Sequence, residues 1–270
     1  MSCKSDKTKI EITQEGSTIL ETKTITIDQQ INNQSISRSV IIQTPLIVDG
    51  SKKYPIVMAF HGGGGDNSHW TRTLRQFTDS GAFIGVYPQG HMNSWNLGPE
   101  RSNADDIAFV NEIMEHLNSY INVDFDRIFA IGTSNGSAMV NLLGAKTSHF
   151  KAIAPVASQL ISSIDITKQT QPLSVFQING AQDDAVPING GNRFGHLFFD
   201  AYESAQKWAF QFGCNDNPAT KTINGNITYV FSQCSDGIVI KYLRIENAGH
   251  NITQNYPILW QTIWSFFETL

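Results

Sequence analysis

The sequence predicts an α/β fold: a mostly parallel central sheet, helices on both faces and a minimal lid. Three observations carry this. Short apolar runs at 55–60, 127–131 and 152–156 read as strands buried on both faces. Stretches of helical periodicity separate them, the pattern of a sheet built by crossover connections. Two of the runs pass directly into glycine-rich turns, 61–65 and 132–136, at strand ends where such sheets build their sites.

Residues 1–20 read as a flexible lead-in and 21–270 as one domain. Residues 22–27 and 36–44 are β-branched and alternating, which predicts an antiparallel pair joined by 28–34. The buried strand 55–60 follows, then a helix over 68–79 and a strand over 82–87. A helix over 104–120 places Ile107, Val110, Ile113, Met114 and Leu117 on one face. Next come a strand at 127–131, a helix at 137–146 and strands at 152–156 and 173–178. The stretch 157–172 is short and leaves little room for a lid. A helix is expected near 197–212, and strands 228–231 and 238–245 as a hairpin through Ser235-Asp236-Gly237. The helix 257–268 closes the chain with Pro257 in its first turn. Trp208 reads as core, and Asn224-Gly225 as a turn.

Of 270 residues, 40% are hydrophobic and 16% charged, enough apolar surface for a packed core. Net charge is −5 and no Lys or Arg cluster stands out, which argues against nucleic acid and anionic membrane as partners. No apolar run approaches the roughly 18 residues of a membrane span. Met1-Ser2-Cys3 precedes a polar stretch without a signal peptide. Cys3 reads either as the lipid-anchored first residue of an exported lipoprotein or as a chance cysteine in a frayed terminus. Cys214 and Cys234 read as a disulfide, suited to an oxidising compartment, or as two free buried thiols. The expected location is therefore exported: secreted, periplasmic or at the surface.

Gly132-Thr133-Ser134-Asn135-Gly136 is a G-x-S-x-G pentapeptide between an apolar strand and a helical stretch. That context is what a nucleophile elbow needs. The turn is tight, so its flanking positions must be very small, and Ser134 then stands at a helix N-terminus. A serine hydroxyl needs a base. Asp183 follows the strand at 173–178, and His250 lies between the last strand and the last helix. Both are loop positions at strand C-terminal ends, in the chain order such a site requires. Asp184 is the competing acid. Backbone N–H groups of Gly63, in His61-Gly62-Gly63-Gly64-Gly65, and of Asn135 are candidate oxyanion donors. The glycine run lacks the G-K-[ST] of a phosphate loop and the spacing of a dinucleotide loop.

His61 reads as an orienting residue for the glycine loop, with a lesser expectation as a lining of the substrate cleft. Trp95 is the other candidate cleft residue. His69, His91, His116, His149 and His196 are scattered without metal spacing, so no metal is expected. Asp105-Asp106 reads as first-turn helix acids rather than a catalytic pair.

Several motifs, taken in order, resemble the poly(3-hydroxybutyrate) depolymerase and feruloyl esterase group of α/β-hydrolases. They are His61 to Gly65, Tyr87-Pro88-Gln89-Gly90 with Trp95-Asn96, and the segment 105–110. Then come the segment 126–136 with Ser-Asn-Gly at the elbow, the segment 152–157, the loop 183–191, Trp208 with Cys214, and Cys234 with His250. The likeness runs from about Tyr54 to the C-terminus. It implies Ser134, Asp183 and His250 as a catalytic triad, Gly63 and Asn135 as oxyanion hole, a Cys214–Cys234 disulfide, export and no cofactor. The sequence departs from the group at Asn179-Gly180-Ala181, where His-Gly-Thr is common. It departs again at Asn251-Ile252-Thr253, where Thr-Trp-Pro is common and would supply an aromatic cleft wall.

The expected activity is that of a serine carboxylic-ester hydrolase working through an acyl-enzyme. Its expected partner is an ester substrate, either small or polymeric: feruloyl or acetyl esters of plant polysaccharide, or a polyester. A serine peptidase of the same fold and a binding protein on an inactive hydrolase scaffold are the alternatives. The first usually carries a large gating domain, and the second a lost triad member; neither feature is seen.

Overall fold

A computed structural model describes residues 18–167 and 169–270. Cys3 and nearly all of the expected lead-in lie outside the described residues. Among the described residues the sheet has ten strands. Numbered along the chain they are β1 (Lys23–Ile31), β2 (Gln34–Gln43), β3 (Tyr54–Phe60), β4 (Ile84–Pro88), β5 (Val123–Thr133), β6 (Ala152–Val156) and β7 (Ser174–Gly180). A separate two-stranded hairpin follows, β8 (Gly191–Arg193) and β9 (His196–Phe198), and then β10 (Ala219–Ile223), β11 (Asn226–Phe231) and β12 (Ile240–Ile245). The spatial order is β1-β2-β4-β3-β5-β6-β7-β12-β11-β10. The six strands from β4 to β12 run parallel, and antiparallel pairs flank them on both sides.

Alternation along the central strands explains the two-sided core. On β3, Ile56, Met58 and Phe60 enter one apolar cluster and Val57 and Ala59 the other. Helices α3 (Asp106–Leu117), α4 (Asn135–Lys146) and α5 (Ala201–Gln211) cover the first face through Phe109, Met139 and Trp208. Helices α1 (Ser68–Thr73), α2 (Arg75–Asp79) and α6 (Leu259–Phe267) cover the second through Trp70, Phe77 and Ile263. A strand covered on both faces has no polar side, which is why these strands read as continuous apolar runs. Cys214 and Cys234 are joined by a disulfide.

The structure corrects four expectations. The connection at 28–34 is only a two-residue turn, because Asn32 and Asn33 both take positive φ (50° and 63°) and the strands run on into the polar residues. The single helix over 68–79 is two, broken at Leu74. Residues 197–200 are not helical: Leu197 belongs to β9, and α5 starts after Asp200, whose carboxylate caps it. Strand β10 was not expected; Asn224-Gly225 is the turn that pairs it with β11.

Candidate active site

The parallel strands bring their C-terminal ends to one edge of the sheet. β3 delivers His61–Gly65, β5 delivers Ser134, β7 leads to Asp183 and β12 leads to His250. At the elbow Ser134 has φ 53° and ψ −119°, a conformation an L-residue holds only when its surroundings impose it. The Ser134 N–H donates to the Val156 carbonyl at 2.9 Å, and the Ser134 carbonyl accepts from Ser137 N–H at 2.9 Å. A Cβ on Gly132 would lie 2.1 Å from the Gly136 carbonyl oxygen, and one on Gly136 would lie 2.3 Å from that of Phe60. Those contacts explain both glycines of the pentapeptide. The turn closes only if neither position carries a side chain.

Ser134 Oγ lies 2.9 Å from His250 Nε2, and His250 Nδ1 lies 2.7 Å from Asp183 Oδ2. The second Asp183 oxygen accepts from the backbone N–H groups of Ala185 (3.0 Å) and Val186 (2.8 Å). Its side chain is fully buried, while that of His250 is about one-third exposed. Asp184 is exposed and makes no hydrogen bond to the imidazole. Of the two adjacent acids, the structure brings Asp183 to His250.

Gly63 and Asn135 flank Ser134 on the wall of a cleft. Among the described residues neither backbone N–H has a hydrogen-bond acceptor, so both are open to a ligand. The Asn135 side chain is held by the loop before α3. Its Oδ1 accepts from Trp95 N–H at 2.7 Å, and its Nδ2 donates to the Trp95 carbonyl at 3.1 Å. Trp95 and His61 do not line the cleft, contrary to expectation. Both are buried behind it. Trp95 Nε1–H donates to the His61 carbonyl at 2.8 Å, and the two rings pack with centroids 5.0 Å apart. His61 Nε2 accepts from Gly90 N–H at 2.9 Å, and Nδ1 lies 2.8 Å from the Gly62 carbonyl. Burial lowers the His61 pKa, consistent with a neutral ring that orients the glycine loop.

Ser134 sits between two clefts. The first, about 300 Å³, is lined by Gly63, Leu97, Glu100, Asn135, Phe194 and His196, among others. The second, about 550 Å³, is lined by His69, Ala157, His250, Ile252 and Trp260, among others. Trp260 of α6 supplies the aromatic wall that Asn251-Ile252-Thr253 lacks. Glu100 and His196 had no local signal in the sequence. They are 96 residues apart and meet at 2.7 Å, Glu100 Oε1 to His196 Nε2, with side chains 13% and 6% exposed. Burial disfavours the Glu100 charge, but hydrogen bonds from His196 and Leu97 N–H outweigh it and lower its pKa. Among the described residues no cluster of His, Cys, Asp or Glu has the makings of a metal site. No described helix is long and apolar enough to cross a membrane.

The chain is similar to feruloyl esterase B of Piromyces equi, 29% identical over 228 residues. That alignment covers 79% of this chain but 42% of the relative, so the chain spans less than half the relative's length. Among solved structures, an acetyl xylan esterase from Aspergillus awamori superposes with a TM-score of 0.63 at 14% identity, covering 88% of this chain and 98% of that one. LpqC, a poly(3-hydroxybutyrate) depolymerase from Bordetella parapertussis, superposes at 0.57 with 14% identity and 89% of both chains covered. These likenesses establish the α/β-hydrolase fold. The sequence profile described as Chlorophyllase matches residues 9–175, more than half of the molecule, and the chain belongs to the Chlorophyllase family of α/β-hydrolases.

Proposed function

We propose that the protein is a serine carboxylic-ester hydrolase with Ser134, His250 and Asp183 as its triad. The observation that carries this is the unbroken relay from Ser134 Oγ through His250 to a buried Asp183, 2.9 and 2.7 Å long. His250 Nε2 takes the Ser134 proton as Oγ attacks the ester carbonyl. Asp183 holds the imidazole by its Nδ1–H and stabilises the imidazolium. The oxyanion forms between the N–H groups of Gly63 and Asn135. His250 then gives its proton to the departing alcohol, and water releases the acid from Ser134.

The two clefts divide the substrate between them. His250 lines the second cleft, so the alcohol it protonates departs there. The first cleft, bordered by the oxyanion donors, is left for the acyl group. Feruloyl and acetyl esters of plant polysaccharide, or polyesters, suit an open alcohol cleft; the relative named as a feruloyl esterase supports the first. The disulfide favours an oxidising compartment and supports export.

Hydrolysis of p-nitrophenyl acetate, methyl ferulate, acetylated xylan and a hydroxybutyrate oligomer tests the reading. Wild type is expected to cleave at least one, and Ser134→Ala to lose about 10⁴- to 10⁶-fold in kcat. Cleavage of none by the wild type, or full activity in Ser134→Ala, would sink it.

A further inference from the structure

The acyl cleft is apolar along most of its wall, through Leu97, Ala138, Val186, Phe194 and Phe198. The wall is interrupted by the Ser94 and Ser158 hydroxyls and, away from the reacting atoms, by the Glu100–His196 pair. Its bonding is incomplete. Glu100 Oε1 accepts from His196 Nε2–H (2.7 Å) and, at 3.4 Å, from Asn135 Nδ2; Oε2 accepts from Leu97 N–H (2.8 Å). A carboxylate has about four acceptor sites, and the long 3.4 Å contact leaves one of them largely free. In the tautomer that gives Nε2–H to Glu100, Nδ1 of His196 is an acceptor, and it has no partner among the described residues. Both free positions accept and neither donates. A wholly apolar acyl group would strip them of water and return nothing.

The surrounding hairpin is placed to present this pair. β8 and β9 are joined at Phe194-Gly195, where a Gly195 Cβ would press on Pro99 at 2.9 Å. The turn therefore rests on the loop carrying Glu100, and His196, two residues after Phe194, turns inward while Phe194 stays 70% exposed at the rim. A flat ring entering the cleft has an aromatic rim and an acceptor pair within it.

We propose that Glu100 and His196 form a specificity element that accepts a hydrogen bond from a free ring hydroxyl on an aromatic acyl group. The inference rests on the hydrolase reading for the identity of the acyl cleft. It distinguishes a hydroxyl, which donates, from a methoxy group or a bare ring, which cannot.

The test compares kcat/KM for the methyl esters of 4-hydroxycinnamate, 4-methoxycinnamate and cinnamate in wild type, Glu100→Gln and His196→Gln. Wild type is expected to favour the hydroxy ester by roughly 10- to 100-fold, the size of a hydrogen bond to a charged acceptor. Each variant is expected to bring that ratio within about threefold of one. A ratio cancels any loss of folded protein, so a merely structural pair would lower all three esters and leave the ratio standing. That outcome, or a wild-type ratio near one, overturns the inference. Calorimetric binding of free 4-hydroxycinnamate and cinnamate to Ser134→Ala gives a second readout that needs no turnover. If no ester is cleaved, the hydrolase reading fails and the binding ratio alone decides for or against the pair. If p-nitrophenyl acetate is cleaved but the two acids bind equally, the pair fails and the hydrolase reading stands.

Discussion

Ser134 occupies a backbone region that costs about 1–3 kcal/mol for a residue other than glycine, and the contacts at Gly132 and Gly136 show what maintains it. The strand end, the elbow and the start of α4 are packed so tightly that no relaxed alternative fits. This much was legible in the pentapeptide, because steric exclusion at a turn is a local matter. The choice between Asp183 and Asp184 was not, since adjacent carboxylates look alike until the loop buries one. Asp183→Asn is expected to lower kcat on a p-nitrophenyl ester about 10⁴-fold by losing the acceptor that orients His250. Asp184→Asn is expected to stay within about twofold. Similar losses in both would contradict the assignment. Trp95 and His61 mislead for a related reason. A loop aromatic just past a strand end reads as cleft lining, but both side chains are spent on holding the 61–65 and 90–95 loops from behind.

The elements that carry the site are coupled by a buried ion pair the sequence did not reveal. Asp106, the first residue of α3, reads as a helix-dipole acid, yet its Oδ1 lies 2.6 Å from Arg38 of β2 with both side chains at most 2% exposed. Asp105 alone caps α3, accepting from Ala108 N–H at 2.9 Å. Arg38 also donates to the Gln89 carbonyl (3.0 Å), and Asp106 Oδ2 accepts from Asn96 N–H (2.7 Å). The pair thus anchors both ends of the loop whose Trp95 holds Asn135. Arg38→Met strands a buried carboxylate and is expected to cost about 3–5 kcal/mol, measured by chemical denaturation. Arg38→Met with Asp106→Leu is expected to recover most of that loss, because the penalty lies in the unpaired charge. A single variant as stable as wild type would show that the pair contributes nothing. Elements that are apolar throughout, such as β3 and β6, or that carry one apolar helical face, such as α3, were legible. The polar ends of β1 and β2, the hairpin β8–β9 and the exposed β10 were not, since an edge strand with solvent on both sides has no apolar alternation to read.

Across the whole molecule, the Cys214–Cys234 bridge joins residues 20 apart and ties the end of α5 to the segment after β11. Closing a loop of that size is worth about 3 kcal/mol in the chain-entropy account. Cys214→Ala with Cys234→Ala is expected to lower Tm by roughly 5–10 °C in a thermal scan; an unchanged Tm would remove the bridge as a stabiliser. Stability is also expected to fall in mild acid. Burial lowers the pKa of His61, His91, His116 and His149, so each binds its proton more readily in the unfolded chain. Their contribution is complete above about pH 6.5, the unfolded value, and is lost as pH falls through the lower folded values. Asp106, raised by burial, runs the opposite way as one group against four. Tm is expected to drop between pH 7 and pH 5, and a flat or rising profile would contradict this. By itself the sequence determined the fold class, the tight turn that carries Ser134, and the loops that carry Asp183 and His250. Those rest on interactions between residues close in the chain: periodicity, steric exclusion and turn chemistry. Tertiary structure alone decided which of two acids meets His250, which aromatics face the cleft, and that Glu100 and His196 face one another. Those depend on burial and on contacts between residues scores of positions apart, which no local pattern encodes.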